Sequence, residues 1–245
     1  MIINNDFKPN PSNFADFVYC GVYWVLSHND LKPTVHHPLS EGKKNEHKCI
    51  DWVCNEYHIS TDQILFNGTG ENNPKPLTSE IGSVDMSCKP DLIISKANRN
   101  LLFEFKSVGK PEYLDMYEFD SVHAQVWCYT KLKEKQIDEY HLLRYYIDPC
   151  VKFRLPSPRR YTNKTYDHKL LSFNQVESSR FESLLKKYIK IIETYKLDNS
   201  ERKKIVLADL GTFSAITSLP TEHYIKCRKC RLNYKCDLYE KTYYV

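Results

Sequence analysis

The sequence predicts an α/β fold, because segments with strand patterns alternate with amphipathic helices along the chain. The clearest helix covers residues 177–196, where apolar side chains recur with a 3.6-residue period. The clearest strands are residues 91–95 and 101–106, joined by a turn at 96–100. Another strand is expected at 140–147.

The remaining elements have weaker patterns. Three further helices are expected, from Ser12 to Leu26 and over residues 41–57 and 119–135. Residues 59–80 are rich in asparagine, glycine and proline, which predicts a loop. Residues 150–169 are basic and contain two prolines, so we expect a loop or an extended arm there.

The composition is that of a globular protein, with 41% hydrophobic and 27% charged residues among 245. No apolar run is long enough to span a membrane, so no membrane association is expected. The N-terminus lacks the pattern of an export signal, and there are nine cysteines. We therefore expect a reducing, cytoplasmic location, which would be the host cytoplasm for a viral protein.

Positive charge is concentrated in two segments, although the net charge of +4 is too small to indicate nucleic-acid binding by itself. One segment is residues 152–169, and the other surrounds the C-terminal cysteines. Such patches favour phosphate binding, and a solvated surface is an equally good interpretation. The candidate nucleic-acid contacts are Arg159, Arg160, Arg228, Lys229 and Arg231.

Two carboxylates are expected to meet across the hairpin of residues 91–106. Asp91 and Glu104 lie at nearly equal distances from the turn, so they should face each other on neighbouring strands. Two carboxylates at such a short distance repel each other unless a cation lies between them. A hard dication prefers oxygen ligands of this kind. Lys106 shares a strand face with Glu104 and could stabilise charge on a phosphate. An ordinary hairpin with a surface salt bridge is the alternative.

Three other side chains are candidates for the same site. Gln125 and Tyr129 are four residues apart on a predicted helix and so share one face. His47, on the helix predicted at 41–57, could complete a metal site and would favour Mn²⁺ over Mg²⁺. Asp85 is a rival to Asp91, but its cross-strand partner would fall near Pro111 rather than Glu104.

A cysteine cluster closes the chain. Cys227, Cys230 and Cys236 have the spacing of ligands for zinc or for an iron–sulfur cluster, and both need a fourth ligand. That ligand is either His223 or a cysteine distant in sequence. The distant candidates are Cys20, Cys49, Cys54, Cys88, Cys128 and Cys150.

Taken together, the motifs resemble the RecB-like branch of the PD-(D/E)XK nuclease superfamily, in particular its iron–sulfur members such as the CRISPR-associated single-strand DNA exonucleases. That family has an N-terminal cysteine, a helical histidine, an Asp and a Glu-x-Lys on a hairpin, a Gln-x-x-x-Tyr helix and a terminal cysteine cluster. The matching residues are Cys20, His47, Asp91, Glu104, Lys106, Gln125, Tyr129, Cys227, Cys230 and Cys236.

The resemblance implies a metal-dependent exonuclease that acts on single-stranded DNA. The Mg²⁺ or Mn²⁺ ligands it implies are His47, Asp91, Glu104 and the Phe105 carbonyl. Lys106 would orient the attacking hydroxide, and Gln125 and Tyr129 would position Lys106 and the strand. A structural [4Fe–4S] cluster would be held by Cys20, Cys227, Cys230 and Cys236.

The resemblance also implies a domain organisation. The fold would be a restriction-endonuclease-like core, a mixed central sheet flanked by helices, within a single nuclease domain over residues 1–245. Residues 82–150 would form the catalytic sheet, and residues 220–240 with the region around residue 20 an iron–sulfur lobe. The expected protein partners are CRISPR integration or recombination proteins. The alternative biological role is the processing of a viral genome. The alternatives are a cysteine-clasped DNA-binding module with an inactive core and a restriction-type endonuclease with a zinc clasp.

Overall fold

A computed structural model describes residues 9–21, 24, 38–69, 74–108, 120–146 and 166–194 of the chain. Four α-helices and seven strands have both of their ends within these ranges. The helices are α1 (Pro11–Tyr19), α2 (Pro38–Tyr57), α3 (Asp120–Cys128) and α4 (Gln175–Thr194). The strands are β1 (Ile64–Asn67), β2 (Leu77–Ile81), β3 (Val84–Cys88), β4 (Leu92–Lys96), β5 (Arg99–Val108), β6 (Glu139–Tyr146) and β7 (Tyr166–Leu171).

The central sheet is mixed, which agrees with the predicted fold class. Its strand order is β1-β4-β5-β6-β7, with β5 and β6 parallel and every other pair antiparallel. Strands β2 and β3 form a separate hairpin. Because α3 lies in the connection from β5 to β6, it forms a parallel crossover of the usual kind.

Helices cover both faces of this sheet. On one face, Cys49, Ile50 and Val53 of α2 pack against alternate residues of β4 and β5. On the other face, α1, α3 and α4 pack against the residues between them, such as Ile93 and Leu102. This alternation means that neighbouring residues of β5 enter different cores. Among the helices that the structure describes, none is both long and apolar enough to cross a bilayer.

The hairpin of β4 and β5 is closed by a two-residue turn. Ala97 and Asn98 have φ values of 49° and 61°, as the tight turns between twisted antiparallel strands require. The turn sets the register, in which Leu92 pairs with Phe103. Asp91 therefore stands opposite Glu104, as counting residues from the turn predicted.

Several predicted boundaries were wrong, and the differences have physical causes. Residues 59–80 contain β1 and β2, short strands that depend on pairing with β4 and β3 rather than on local pattern. Strand β7 begins inside the predicted basic arm, because an edge strand with polar residues lacks a hydrophobic signature. Helix α3 ends at Cys128, and Leu132 then bridges to Ser79.

The first helix also differs from its prediction. The cap of α1 is Asn10 rather than Ser12, since Asn10 Oδ1 accepts a hydrogen bond from the Asn13 N–H at 2.8 Å. Pro11 follows at the first helical position, where its missing N–H costs nothing. The helix ends at Tyr19, because Cys20 is extended, with φ −167° and ψ 116°.

A buried histidine makes the fold sensitive to acid. Burial, reinforced by neighbouring His168, lowers the pKa of His141 to about 4. His141 Nε2 lies 3.0 Å from Glu139 Oε2, and the ring stacks on Phe103 at 4.6 Å. The neutral form is therefore favoured in the folded state. Its contribution to stability is complete above the unfolded pKa of about 6.5 and is lost as pH falls towards 4.

We expect His141→Phe to reduce the loss of stability between pH 6.5 and pH 4, because the stacked ring remains and the titration is removed. Chemical denaturation at several pH values measures this. The matched control is His58→Asn, since His58 is exposed and has a φ of 53°, which Asn tolerates. An acid response that is identical in the His141 variant and the wild type would contradict the assignment.

Candidate active site

The ends of β4 and β5 place two carboxylates and a lysine together. The Asp91 carboxylate accepts a hydrogen bond from the Phe105 N–H at 2.7 Å, which fixes it against β5 opposite Glu104. Lys106 Nζ donates to Glu104 Oε1 at 2.6 Å. The structure thus brings together the three side chains of the predicted hairpin site.

Glu104 is the buried centre of this group. Only 2% of its side chain is exposed. Its Oε1 accepts from both Lys106 and Gln125 Nε2, each at 2.6 Å, whereas its buried Oε2 has no hydrogen-bond partner among the described residues. A buried carboxylate oxygen without a partner is costly, and a cation would satisfy it. The residues present therefore fit an oxygen-preferring dication between Glu104 and Asp91.

The electrostatics of the three groups agree with such a site. Burial, and then the charge of Glu104, raise the pKa of Asp91 well above its usual value. For Lys106, burial acts to lower the pKa, but Glu104 and Asp91 outweigh it and the pKa is raised. Lys106 therefore stays protonated at neutral pH, while a second negative charge on the pair is disfavoured until a further cation binds.

Gln125 and Tyr129 support Glu104 from helix α3 and the 3₁₀ turn that follows it. Gln125 Nε2 lies 2.6 Å from Glu104 Oε1 and 3.2 Å from the Tyr129 hydroxyl oxygen, which accepts from it. Tyr129 is only 1% exposed. Gln125 therefore holds the Glu104 carboxylate in position, and Tyr129 holds the Gln125 amide. The tyrosine ring itself lies in the core.

This order predicts graded effects on any activity of the site. Tyr129→Phe removes one weak acceptor, so we expect a few-fold loss in kcat and an unchanged KM. Gln125→Ala leaves Glu104 with one donor fewer, so we expect a loss of about tenfold or more, from roughly 1.5–3 kcal/mol for a hydrogen bond to a charge. A rise in KM alone for Tyr129→Phe would instead mean that its hydroxyl contacts the substrate.

Helix α2 contributes a residue that the sequence analysis missed. His47, the predicted metal ligand, is exposed. The preceding residue, Glu46, is half-buried and its charge raises the pKa values of both Asp91 and Lys106. Glu46 extends the buried stripe of α2, three residues before Cys49 and four before Ile50. A carboxylate in the otherwise apolar stripe of a helix was the sequence pattern that could have identified Glu46.

Asp85, the rival aspartate, lies elsewhere. It belongs to β3, opposite Glu80 in the separate hairpin, and its side chain is 67% exposed. Lys133 Nζ forms ion pairs with Asp85 at 2.8 Å and with Glu80 at 3.0 Å. Asp85 is therefore part of a surface ion-pair group and takes no part in the carboxylate pair.

Other predicted ligands can be placed only in part. Phe105 lies between the two functional residues of β5 and packs its ring against α2, and the role of its carbonyl remains a prediction. Within the described ranges, no group of three or more His, Cys, Asp and Glu side chains could hold a metal ion. Asp91 and Glu104 would thus be two protein carboxylates of a site completed by water and substrate, a common arrangement for Mg²⁺.

The cysteines divide into described and undescribed groups. Cys20 is a half-buried thiol immediately after α1. Burial raises the pKa of Cys88 to about 12 and that of Cys128 well above its usual value, because both thiols lie in the core. Cys227, Cys230 and Cys236, with Arg159, Arg160, Arg228, Lys229 and Arg231, lie outside the described residues.

No protein-family model matches this sequence, and no curated protein matches it significantly. Solved structures do resemble it. An alkaline exonuclease, LHK-Exo, from Laribacter hongkongensis aligns with a TM-score of 0.50 and 11% identity over 83% of this chain and 94% of its own. A structure of LHK-Exo in complex with dAMP aligns with a TM-score of 0.49 and 13% identity, with the same coverage.

At these identities the similarity to LHK-Exo concerns the fold alone. It extends over most of both chains. The described residues form a mixed central sheet with helices on both faces, consistent with a restriction-endonuclease-like fold. The predicted fold class is confirmed at this level, and the iron–sulfur lobe remains a prediction.

Proposed function

We propose that this protein is a metal-dependent DNA nuclease that hydrolyses phosphodiester bonds, and that it acts as an exonuclease. The observation that carries the proposal is the Glu104 carboxylate. It is buried opposite Asp91, is hydrogen-bonded by Lys106 and Gln125, and keeps one oxygen to which no described residue donates. If Glu104 served only to pair with Lys106, its second oxygen would stay buried without a partner, at a cost in stability. A bound cation would use that oxygen as a ligand.

Asp91 and Glu104 would hold Mg²⁺ or Mn²⁺, with Glu46 close enough to add negative charge. The Phe105 carbonyl is proposed as an additional ligand on the same ion. The proposed ligand role of His47 requires this exposed side chain to turn towards the site, because it forms no group with Asp91 and Glu104 in the described structure. The chemistry that such an ion supplies when bound is a more acidic water and neutralisation of the phosphate.

Lys106 carries the protein's own part of the reaction. Its ammonium is kept charged by Glu104 and Asp91, which raise its pKa, so it can donate hydrogen bonds to the attacking water and to the phosphate. Gln125 keeps Glu104 oriented, which in turn holds the Lys106 ammonium in place. Tyr129 orients Gln125 rather than the strand.

The proposed substrate is DNA, mainly single-stranded. Support comes from the ends of the basic segment that contains Arg159 and Arg160. The described chain stops at Tyr146, the end of β6, and resumes at Tyr166, the start of β7, while Lys106 pairs in register with Arg144 two residues before Tyr146. These two described residues thus lie at the edge of the sheet that carries the site. Arg228, Lys229 and Arg231 are proposed as further phosphate contacts.

We also propose that Cys20, Cys227, Cys230 and Cys236 bind a structural [4Fe–4S] cluster, with zinc as the alternative. Cys20 and Cys54 are half-buried, whereas Cys49, Cys88 and Cys128 are buried in the core, and of the two accessible thiols Cys20 is the one that the family resemblance implies. Anaerobically purified protein should contain about four irons per chain. Stoichiometric zinc without iron would refute the cluster.

The test is an assay on end-labelled single-stranded and double-stranded DNA with Mg²⁺, Mn²⁺ or EDTA. We expect stepwise shortening of single strands that needs a divalent ion. Binding without cleavage under every condition would favour the inactive DNA-binding module. Site-specific cutting of duplex alone would favour the restriction-type endonuclease. A role with CRISPR integration, recombination or viral proteins stays a prediction, which identification of neighbouring genes would test.

A further inference from the structure

A turn at the end of β1 lies directly against the backbone of Asp91. The Gly68 N–H donates a hydrogen bond to the Asp91 carbonyl oxygen at 2.9 Å. The turn is closed by Asn67, whose Oδ1 accepts from the Thr69 N–H at 3.1 Å and from the Thr69 hydroxyl at 3.0 Å. Gly68 therefore touches the segment that carries the candidate metal ligand.

This contact leaves no space for a side chain at Gly68. A Cβ atom there would lie 2.1 Å from the Pro90 carbonyl oxygen and 3.2 Å from Cε1 of Phe66. Pro90 is buried, and the next residue, Asp91, is hydrogen-bonded on both sides, so the Pro90 carbonyl has little freedom to turn away. Because Asp91 follows Pro90 and its carbonyl binds the Gly68 N–H, a side chain at Gly68 would push against the segment that carries Asp91.

The position of Asp91 matters because two contacts hold it from opposite sides. The Gly68 N–H binds its carbonyl, and the Phe105 N–H binds its carboxylate at 2.7 Å. A shift relative to β5 would change the separation of the Asp91 and Glu104 carboxylates. Mg²⁺ requires near-ideal octahedral geometry with short bonds, whereas Ca²⁺ accepts longer and less regular ones.

We propose that Gly68 is a positioning residue that sets the spacing of Asp91 and Glu104 and thereby favours a small dication such as Mg²⁺ over Ca²⁺. The inference rests on the proposed function, since it takes those carboxylates as ion ligands. By analogy with residues that orient metal ligands, Gly68→Ala should weaken Mg²⁺ binding about 10–100-fold. Ca²⁺ binding should weaken less.

The experiment measures ion binding without substrate, by calorimetry and by the rise in Tm on adding Mg²⁺ or Ca²⁺ to the full chain. The matched control is Gly82→Ala. Gly82 has a φ of +62°, and no atom of the described residues lies within 4 Å of the position that a Cβ would take. Alanine there strains the β2–β3 turn without touching the site. We expect the control to lower the ion-free Tm and to keep wild-type affinities for both ions.

Asn67→Ala provides a second test if Gly68→Ala does not fold. It loosens the same turn without a clash and should raise the Mg²⁺ dissociation constant by a smaller factor. Wild-type Mg²⁺ affinity in either folded variant, or equal losses for Mg²⁺ and Ca²⁺, would overturn the inference. If wild-type protein binds neither ion and cleaves no DNA, the proposed function itself fails. If the wild type binds and cleaves while Gly68→Ala binds Mg²⁺ equally well, only the positioning role fails.

Discussion

Asp91→Asn should abolish cleavage and at the same time raise the stability of the ion-free protein. The loss of activity should be about 10³-fold or more, because one of two carboxylates that hold the ion is gone. Stability should rise because burial and the Glu104 charge make the Asp91 carboxylate costly, as its raised pKa indicates. The amide oxygen can still accept the Phe105 N–H that Asp91 now binds.

The size of this effect depends on pH. An acid whose folded pKa is raised destabilises the protein above its unfolded pKa, about 3.9 for Asp, and the penalty grows until the folded pKa is reached. The Asp91→Asn variant should therefore exceed the wild type in Tm at neutral pH and match it near pH 4. Relief of roughly 1 kcal/mol corresponds to about 2–4 °C for a chain of this size.

Asp85→Asn is the control for this prediction. Asp85 is exposed and belongs to the ion-pair group with Lys133. Cleavage and Tm should both stay near the wild-type values. Thermal melts with and without Mg²⁺ measure the effects, and the Mg²⁺-induced rise should survive in this control and vanish in Asp91→Asn. An Asp91→Asn protein that cleaves DNA normally would remove Asp91 from the site.

Lys106→Met should also abolish cleavage, but with the opposite effect on stability. Removing the ammonium leaves Glu104, 2% exposed, with the Gln125 amide as the one remaining side-chain donor among the described residues. Breaking a buried ion pair in this way costs about 3–5 kcal/mol, and about 2 kcal/mol is reasonable here because 33% of the Lys106 side chain is exposed. The expected decrease in Tm is about 4–8 °C.

Divalent ions should restore much of this loss, because they supply the positive charge that Lys106 no longer provides. The Mg²⁺-induced rise in Tm should therefore be larger for Lys106→Met than for the wild type. Lys133→Met is the matched control, since Lys133 pairs with Glu80 and Asp85 at the surface. If Lys106→Met is inactive but as stable as the wild type without ions, the prediction is wrong. Glu104 would then not depend on Lys106 to compensate its buried charge.

Local patterns in the sequence predicted the parts of the site that share one hairpin. The turn near Asn98 fixes the register of β4 and β5, so counting residues from it places Asp91 opposite Glu104. The alternation of side chains along a strand places Lys106 beside Glu104. Likewise, the four-residue spacing of Gln125 and Tyr129 predicted that they share one face of a helix, and their side chains do meet.

Contacts between elements distant in sequence were harder to predict. Strand β1 is short and gains its structure from pairing with β4, so its pattern resembled a loop. Strand β7 was hidden among basic residues because it packs mainly through its edge pairing with β6. Glu46 was missed although it is next to His47, because one position on a helix changes the direction of a side chain by about 100°.

The amino-acid sequence by itself determined the β4–β5 hairpin and the pairing of Asp91 with Glu104, since strand alternation and turn chemistry act over a few residues. Only the tertiary structure decided that Glu104 is buried, with one oxygen to which no described residue donates a hydrogen bond. It also decided that Gly68 lies too close to the Pro90 carbonyl for any side chain. Burial and close approach depend on how distant segments pack together. No spacing along the chain records those distances.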